Sequence, residues 1–293
     1  MKRVLNFGSI NVDHVYTVEH FVRPGETLGC EDYHRFAGGK GLNQSIALAQ
    51  AGACVYHAGK VGAADAWLKT MMEDKGVDTR FVETINGPSG HAIIQVNASG
   101  ENSIVIVGGA NQLMNEADVQ RILSDFGEDD YLLVQNEVSA VPQVIRAAKA
   151  KGLTIAFNPA PMHSNVLNYP LELVDILIVN EIEARSLSGE IEPGAIYETL
   201  NQHYPHMAIL LTMGHKGAAY LSSEIRFFQP ARKVRVVDST GAGDTFIGFF
   251  LAELINANDP KAALGFATRA AAICVTRHGA AESIPSRREL ETA

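Results

Sequence analysis

The stretch Asp238-Ser239-Thr240-Gly241-Ala242-Gly243-Asp244-Thr245-Phe246 is followed by an apolar run that continues to Leu251. Small residues ahead of an acidic residue and an apolar run predict a loop that opens a buried helix. The free N–H groups at a helix start favour an anion such as phosphate, and Asp244 could accept a proton from a nearby hydroxyl. An anion site beside a base indicates phosphoryl transfer to an alcohol. The alternative is an ordinary glycine turn in which Asp244 is a capping residue.

Two commoner phosphate-binding motifs do not occur in the sequence. It contains no Gly-x-x-x-x-Gly-Lys-Ser/Thr, which excludes a P-loop. The pair Gly241-x-Gly243 lacks the third glycine of the dinucleotide fingerprint, because Phe246 stands in its place. Any nucleotide site in this chain must therefore be built on another plan.

The length and charge of the chain suit an enzyme that acts on small molecules. Its 293 residues can bury a large core. A net charge of −9 argues against nucleic acid and against an anionic membrane surface as partners. The cysteines, Cys30, Cys54 and Cys274, are dispersed without metal-ligand spacing, which predicts reduced core thiols. No apolar run suits a signal peptide or a membrane span, so we expect a cytoplasmic protein.

Short apolar strands alternate with helical patterns along the chain. The predicted strands are Val4–Gly8, Val55–Gly59, Tyr131–Gln135, Thr154–Asn158, Ile176–Val179 and Ala208–Thr212. The predicted helices are Leu42–Ala51, Ala66–Lys75, Glu116–Leu123, Val141–Ala150, Pro193–Asn201, Thr245–Ile255 and Pro260–Arg277. This alternation indicates an α/β fold with a parallel sheet covered on both faces and a ligand at the carboxyl ends of its strands.

Two segments break the alternation. Val15–Phe36 has no helical period, and His91–Val107 predicts a hairpin with its turn at Ala98-Ser99-Gly100-Glu101. Together they predict a small sheet beside the main domain. Its apolar faces would need cover from a ligand, a partner or the domain itself.

Two further polar clusters lie near the predicted carboxyl edge. Gly38-Gly39-Lys40-Gly41-Leu42-Asn43-Gln44 precedes a helix rich in alanine, and its backbone N–H groups could bind hydroxyls or an anion. Asn11-Val12-Asp13-His14 follows the first strand and supplies donors and acceptors that suit a polyol. The alternatives are a tight turn with helix capping for the first cluster and an Asx turn for the second.

These motifs together resemble the ribokinase-like, PfkB-type family of carbohydrate kinases. The order and spacing also match at Asn180-Glu181-Ile182-Glu183 and at Thr212-Met213-Gly214-His215-Lys216-Gly217. The similarity runs from Val4 to about Pro285. It implies a single domain over residues 1–293: a three-layer sandwich with a central, mostly parallel sheet flanked by helices. It also implies a small β-sheet lid, formed by about 15–36 and 91–107 in this sequence.

The resemblance also implies roles for individual residues. Asp244 would be the catalytic base, and the anion hole would be formed by the N–H groups of Gly241, Ala242 and Gly243. The implied sugar-binding residues are Asn11, Asp13, Gly38, Gly39, Lys40, Asn43, Glu137 and Asp244. The implied ATP-binding residues are Asn180, Thr212, Gly214, Gly217 and Gly243. For Asn180 and Glu183 the alternative is capping of the next helix, and for Glu137 it is a solvated loop.

Two metal ions are expected from the resemblance. Magnesium would be held near Glu183 through water. Potassium would be held by the Asp238 side chain, the carbonyls of Thr240, Cys274, Arg277 and Gly279, and the Ser283 hydroxyl. The alternative for Asp238 is that it caps the following turn.

The resemblance implies an ATP-dependent sugar kinase that phosphorylates a primary hydroxyl, with D-ribose converted to D-ribose 5-phosphate as the favoured reaction. A kinase for another neutral sugar or for a nucleoside is the alternative. An alternative of another class is a sugar-binding regulator on a catalytically retired fold, which the intact Gly-Ala-Gly-Asp at 241–244 disfavours. We further expect a homodimer formed through the lid sheet.

Overall fold

The computed structural model describes residues 2–292. In chain order its strands are β1 (Arg3–Phe7), β2 (Asn11–Thr17), β3 (Asp32–Gly38), β4 (Cys54–Gly62), β5 (Asp78–Ile85), β6 (Gly90–Val96), β7 (Asn102–Val107), β8 (Tyr131–Gln135), β9 (Thr154–Asn158), β10 (Ile176–Asn180), β11 (Ala208–Thr212), β12 (Gly217–Leu221) and β13 (Arg226–Pro230). Its α helices are α1 (Lys40–Gln50), α2 (Trp67–Asp74), α3 (Glu116–Leu123), α4 (Val141–Ala150), α5 (Glu181–Ser188), α6 (Pro193–His203), α7 (Ala242–Ala257), α8 (Pro260–Cys274) and α9 (Arg287–Thr292).

The main sheet has nine strands in the order β13-β12-β11-β10-β9-β8-β1-β4-β5. The seven strands from β11 to β5 run parallel, whereas β12 and β13 are antiparallel to their neighbours. The burial of Ile176–Val179 is typical of a central parallel strand: all four residues are buried, as a strand covered on both faces requires. The predicted α/β class and parallel sheet are confirmed.

Helices cover both faces of this sheet, and each face has its own apolar core. One core includes α1, α7 and α8, with Phe249 and Phe250 fully buried. The other lies beneath α3 to α6 and includes Phe157 and Tyr197. The aromatic residues of α7 therefore stabilise the fold by burying apolar surface. Within residues 2–292, no helix combines the length and hydrophobicity that a membrane span needs.

A separate sheet has four strands in the order β3-β2-β6-β7. Its hairpin turns at the predicted residues 98–101. The sheet is longer than predicted, because Asn11 pairs with Gly38 at the end of β2 and β3. The Asn11–His14 motif therefore lies within a strand of the small sheet, and not in a loop after β1.

Several boundaries and some whole elements differ from the prediction. Helices α3 and α4 have the predicted bounds, whereas α7 begins three residues early, at Ala242, and α8 ends three residues early, at Cys274. Strands β5, β12 and β13 were not predicted. They lie at or next to the edges of the sheet, where strand formation depends on pairing with neighbours more than on local pattern. The cysteines form no disulfide, but Cys30 is exposed and Cys54 is half-buried, so of the three only Cys274 is a core thiol.

Candidate active site

The loop before α7 takes the shape that its sequence predicts. Gly241 is the N-cap residue with φ 73°, a left-handed conformation that favours glycine. A side chain there would also meet Ala280, whose Cα lies 3.1 Å from the place of a Cβ. At Gly243, in contrast, no atom lies within 4 Å of the place of a Cβ. The first turn of α7 therefore offers open space at the positive end of the helix dipole, where an anion is favoured.

The carboxylate of Asp244 lies in this first turn and is held by two amides from α1. Asn43 Nδ2 donates to Oδ2 at 3.0 Å, and Gln44 Nε2 donates to Oδ1 at 2.8 Å. Each carboxylate oxygen can accept a further hydrogen bond, as from a substrate hydroxyl. Gln44 has no role among those predicted from the sequence.

Lys40 and Glu137 are the charged groups beside this carboxylate. Glu137 Oε2 accepts hydrogen bonds from the Ser9 hydroxyl and from the backbone N–H of Lys40, so Glu137 is not in a solvated loop. Burial lowers the pKa of the Lys40 ammonium, but Asp244, Glu137 and Glu183 outweigh burial and raise it. Burial raises the pKa of Glu137, while Lys40 and the Ser9 hydrogen bond oppose that rise. Lys40 therefore stays cationic among three carboxyl groups.

Asp13 lies on β2, facing the start of α1. Its pKa is raised to about 6, first by burial and then by the charges of Glu137 and Glu282. Gly38, at the end of the paired strand β3, has no room for a side chain, because the Asp13 carboxylate occupies the place of a Cβ. The small sheet thus brings a carboxyl group close to the main domain.

Asn11 is held in place by Asn111, a residue of the segment that follows β7. Asn111 Nδ2 donates to Asn11 Oδ1 at 2.7 Å, and Asn111 Oδ1 accepts from the backbone N–H of Ile10 at 3.0 Å. Because Ile10 N–H can only donate, it fixes the orientation of the Asn111 amide. Asn11 is therefore left with its own Nδ2 to donate to a ligand.

The start of α1 leaves one buried acceptor unpaired. Gly39 is the N-cap residue, with φ 94°, and its carbonyl accepts from Asn43 N at 3.0 Å. Among the described residues, Asn43 Oδ1 has no hydrogen-bond partner although Asn43 is only 5% exposed. A buried acceptor without a partner is costly, so Asn43 Oδ1 suits a hydroxyl of a bound ligand.

The predicted nucleotide residues meet at the carboxyl ends of β10 and β11, where Asn180 and Thr212 are register partners. Asn180 Oδ1 accepts from the backbone N–H groups of Ile182 and Glu183, and Glu183 Oε2 accepts from Asn180 N at 3.0 Å. Asn180 and Glu183 therefore form the capping box that was the alternative interpretation. Capping uses the side chains of Asn180 and Glu183, and a ligand could still lie along the carboxyl ends of β10 and β11.

Gly214 and Gly217 form the turn that follows Thr212. Both have positive φ angles, 52° and 127°. At Gly217 a side chain would also meet Pro230, whose Cα lies 2.9 Å from the place of a Cβ. The structure therefore explains both glycines by backbone conformation, and their contact with a nucleotide stays a prediction.

The predicted potassium residues cluster between the start of α7 and the end of α8. Asp238 Oδ1 accepts from the backbone N–H and hydroxyl of Thr240, and Oδ2 accepts from Gly279 N at 3.0 Å. Burial opposes the charge of Asp238, but these hydrogen bonds outweigh it and lower the pKa of the carboxyl group. These are the bonds of a capping Asp, so capping is observed, and the cation stays a prediction.

The other potassium residues lie in the same cluster. The Cys274 thiol lies 3.0 Å from the Ser283 hydroxyl and 3.9 Å from the Thr240 carbonyl. Arg277 follows the end of α8, and its N–H donates to the Cys274 carbonyl. Several oxygen atoms therefore lie close together, which is the donor type that hard cations prefer.

No group of three or more His, Cys, Asp or Glu residues that could hold a metal occurs in residues 2–292. The magnesium ion therefore stays a prediction; such an ion is held largely by phosphates and water, with few protein carboxylates. Glu183, buried near Lys40, is the carboxylate of this region that suits such an ion.

The chain belongs to the pfkB family of carbohydrate kinases, whose sequence pattern matches residues 1–287. It is therefore a phosphotransferase with an alcohol group as acceptor. Over 98% of both chains, it is 37% identical to the ribokinase of Staphylococcus aureus (strain COL). Both the family and the class of enzyme expected from the motifs are confirmed.

Two solved structures share the fold. One is ribokinase from Cryptococcus neoformans var. grubii serotype A in complex with ADP, with a TM-score of 0.88, 34% identity, and coverage of 100% of this chain and 99% of that one. The other is Arabidopsis thaliana ribokinase complexed with ribose and ATP, with a TM-score of 0.88, 30% identity, and coverage of 99% and 97%. The predicted three-layer fold with an additional small sheet is confirmed.

Proposed function

We propose that the protein transfers the γ-phosphoryl group of ATP to the 5-hydroxyl of D-ribose. The observation that carries this proposal is the place of the Asp244 carboxylate, beside the open first turn of α7 and within 3.0 Å of Asn43 Nδ2. Ribokinases related over the full length of the chain, one of them solved with ribose and ATP, support ribose as the acceptor.

In the proposed reaction Asp244 accepts the proton of the sugar hydroxyl as its oxygen attacks the γ-phosphorus. The bond from the γ-phosphorus to the bridging oxygen breaks, and ADP leaves. The N–H groups of Gly241, Ala242 and Gly243 stabilise the charge of the transferring phosphoryl group. Lys40, held among carboxyl groups that face the site, adds a positive charge there.

The sugar is proposed to lie between the small sheet and α1. Asn11 donates from the amide nitrogen that Asn111 leaves unused, and Asn43 accepts at its unpaired Oδ1. Asp13 and Glu137 accept hydrogen bonds from further hydroxyls. Gly38 and Gly39 have no side chains, so the backbone there can approach the sugar closely. A side chain at Gly38 would also displace Asp13.

ATP is proposed to lie along the carboxyl edge of β10 and β11, against Asn180, Thr212, Gly214, Gly217 and Gly243. Magnesium near Glu183 would neutralise phosphate charge. Potassium bound by the cluster around Asp238 would hold the 240–243 loop in the shape of the anion hole.

The small sheet is proposed to act as a lid and as a dimer surface, because its outer strand β7 is apolar on both faces. Ile106 shares one face with Ala92 and Asp13, whereas Val107 and His91 lie on the other face. Both Ile106 and Val107 are exposed, at 60% and 38%. The face of Asp13 would cover the sugar, and the opposite face would pair with a second copy. Sedimentation of the protein with and without Val107→Lys tests the dimer, and an unchanged mass would contradict it.

A sugar panel tests the proposed reaction. ADP formation would be measured with ribose, fructose, adenosine and fructose 6-phosphate, and kcat/KM should be highest for ribose. Fructose 6-phosphate should be poor, because Asp13 and Glu137 would repel its phosphate in a partly desolvated site. A preference for the phosphorylated sugar would contradict the proposal. Ribose binding without ADP formation would instead support the retired regulator.

A further inference from the structure

A layer of fully or almost fully buried carboxamides lies beneath Asp244. Asn6, Gln135 and Asn158 stand at or near the carboxyl ends of the neighbouring strands β1, β8 and β9, and Gln44 comes from α1. They are hydrogen-bonded to one another in a chain that ends on the Asp244 carboxylate. Buried amides of this kind stabilise a unique arrangement only if every orientation in the chain agrees.

Backbone carbonyls fix the orientation of the amides of Asn6 and Asn158, because a carbonyl can only accept. Asn6 Nδ2 donates to the Gly41 carbonyl at 2.8 Å, which leaves Asn6 Oδ1 as an acceptor. Asn158 Nδ2 donates to the Ile178 carbonyl at 2.9 Å, which leaves Asn158 Oδ1 as an acceptor. Gln135 and Gln44, which lie between Asn6 and Asn158, must therefore direct their N–H donors toward these two oxygen atoms.

A buried histidine fixes the same orientation independently. His57 Nε2 lies 3.1 Å from the Gly8 carbonyl and must carry the hydrogen. Burial lowers the pKa of His57 to about 4, so its Nδ1 accepts from the Ser45 hydroxyl at 2.8 Å. Ser45 Oγ is then left to accept from Asn6 Nδ2, also at 2.8 Å.

With its ends fixed, the chain has one consistent arrangement. Gln135 Nε2 donates to Asn6 Oδ1 at 2.9 Å and to Gln44 Oε1 at 2.8 Å. Gln44 Nε2 must then face Asn158 Oδ1, at 3.3 Å, and Asp244 Oδ1, at 2.8 Å. Among the described residues, Gln135 Oε1 is left buried without a partner. An unpaired buried acceptor is costly. The layer therefore places the amide donors against acceptors and leaves the oxygen of Gln135 without a partner.

We infer that Gln44 is a positioning residue that holds the Asp244 carboxylate in a fixed orientation, and that Gln135 holds Gln44 in its donor orientation. This inference rests on the proposed role of Asp244 as the base. The hydrogen bond from Gln44 Nε2 fixes Asp244 Oδ1 at 2.8 Å. It directs the remaining lone pairs of the carboxylate toward the substrate, and orientation of this kind contributes to the rate.

The test is Gln44→Met, which keeps the length of the side chain but removes the donor. We expect kcat to fall by about 10–10²-fold, a part of what a complete loss of the base costs. KM for the sugar and for ATP should stay within about threefold, because the loss acts mainly in the transition state. Lys40 and Glu137, the other charged groups near Asp244, are unchanged in this variant.

Two further variants complete the test. Gln50→Met is the matched control, because Gln50 lies on the same helix and donates to the Lys75 carbonyl at 2.9 Å, away from Asp244. It should change neither kcat nor KM. Gln135→Met does not touch Asp244 but frees Gln44, so it should lower kcat by less than Gln44→Met does, again with KM nearly unchanged. It carries the test if Gln44→Met does not fold.

Folded variants at Gln44 and Gln135 that keep the kcat of the unsubstituted enzyme would overturn the inference. A fall in kcat accompanied by a matching rise in KM would overturn it as well, because a general structural loss would also weaken binding. Failure of the underlying reaction is distinguishable. If Asp244→Asn kept its rate, the role of Asp244 itself would be wrong, independently of Gln44.

Discussion

Gly248 of α7 lies directly against the backbone of α1 at Ala47: a Cβ added at Gly248 would lie 2.8 Å from the carbonyl carbon of Ala47. The two helices can approach this closely only because residue 248 has no side chain. The same approach brings Asn43 and Gln44 of α1 within hydrogen-bonding distance of Asp244. The spacing of α1 and α7 therefore determines the geometry of the candidate base.

The substitution Gly248→Ala should lower both the stability of the fold and kcat. The added methyl overpacks the helix contact, which costs about 1–3 kcal/mol, and kcat should fall because the amides of α1 move away from Asp244. Gly265→Ala in α8 is the control, since no atom lies within 4 Å of the place of its Cβ. That variant should be more stable by up to about 1 kcal/mol, and its kcat should not change. Urea unfolding and steady-state kinetics measure both effects, and equal behaviour of the two variants would contradict the interpretation.

Asp244→Asn keeps the shape of the side chain but removes the proton acceptor. We expect turnover to fall by about 10²–10⁴-fold, the usual contribution of a general base. Binding of ATP and sugar, measured by calorimetry, should change little, because the loss is confined to the transition state. A variant that turns over at a near-normal rate would remove Asp244 from its role.

Gly243→Ala separates a structural need for glycine from a functional one. Residue 243 is helical and its Cβ would meet no protein atom, so the substitution should not destabilise the fold. If the open space there holds the phosphoryl group, kcat should still fall by at least about tenfold. The measurements are thermal unfolding and the rate of ADP formation. Unchanged kinetics in this variant would place the anion elsewhere.

The raised pKa of Asp13 predicts a pH-dependent effect on stability. Its pKa is about 6 in the folded protein, compared with about 3.9 for an exposed Asp. The folded state binds this proton more tightly, so the stabilising effect is complete below the unfolded pKa and is lost as the pH rises through 6. Asp13→Asn should therefore be more stable than the unsubstituted protein by about 3 kcal/mol at pH 8.

The difference between Asp13→Asn and the unsubstituted protein should close at the acidic end of this range, which urea unfolding at each pH measures. The substitution should also raise KM for ribose. A stability difference that is the same at all pH values would show that Asp13 does not titrate as expected.

A potassium ion near Asp238 predicts activation by monovalent cations. At fixed ionic strength and saturating magnesium, the rate should be higher in potassium than in sodium or in a bulky organic cation. Asp238→Asn should lose most of this difference, because it weakens the one charged ligand of the cluster. Equal rates in all three salts would exclude an activating site and leave Asp238 as a capping residue alone.

The sequence by itself determined the α/β class, the parallel sheet, the bounds of α3 and α4, and the glycine loop at 238–246 that opens α7. These features depend on local interactions: Asn115 caps α3 within three residues, and the glycines of the loop act through their own backbone angles. Such patterns are visible in a short window of sequence.

Only the tertiary structure decided the surroundings of Asp244. The bond from Gln44 spans 200 residues, that from Gln135 to Gln44 spans 91, and that from Asn111 to Asn11 spans 100. None of these amides has a local signature, because a buried amide looks in sequence like any other polar residue, whether it lies on a strand, as Gln135 does, or on a helix, as Gln44 does. Their roles arise from hydrogen-bond orientation in a closed network, which exists only once the sheet and the helices α1 and α7 have packed together.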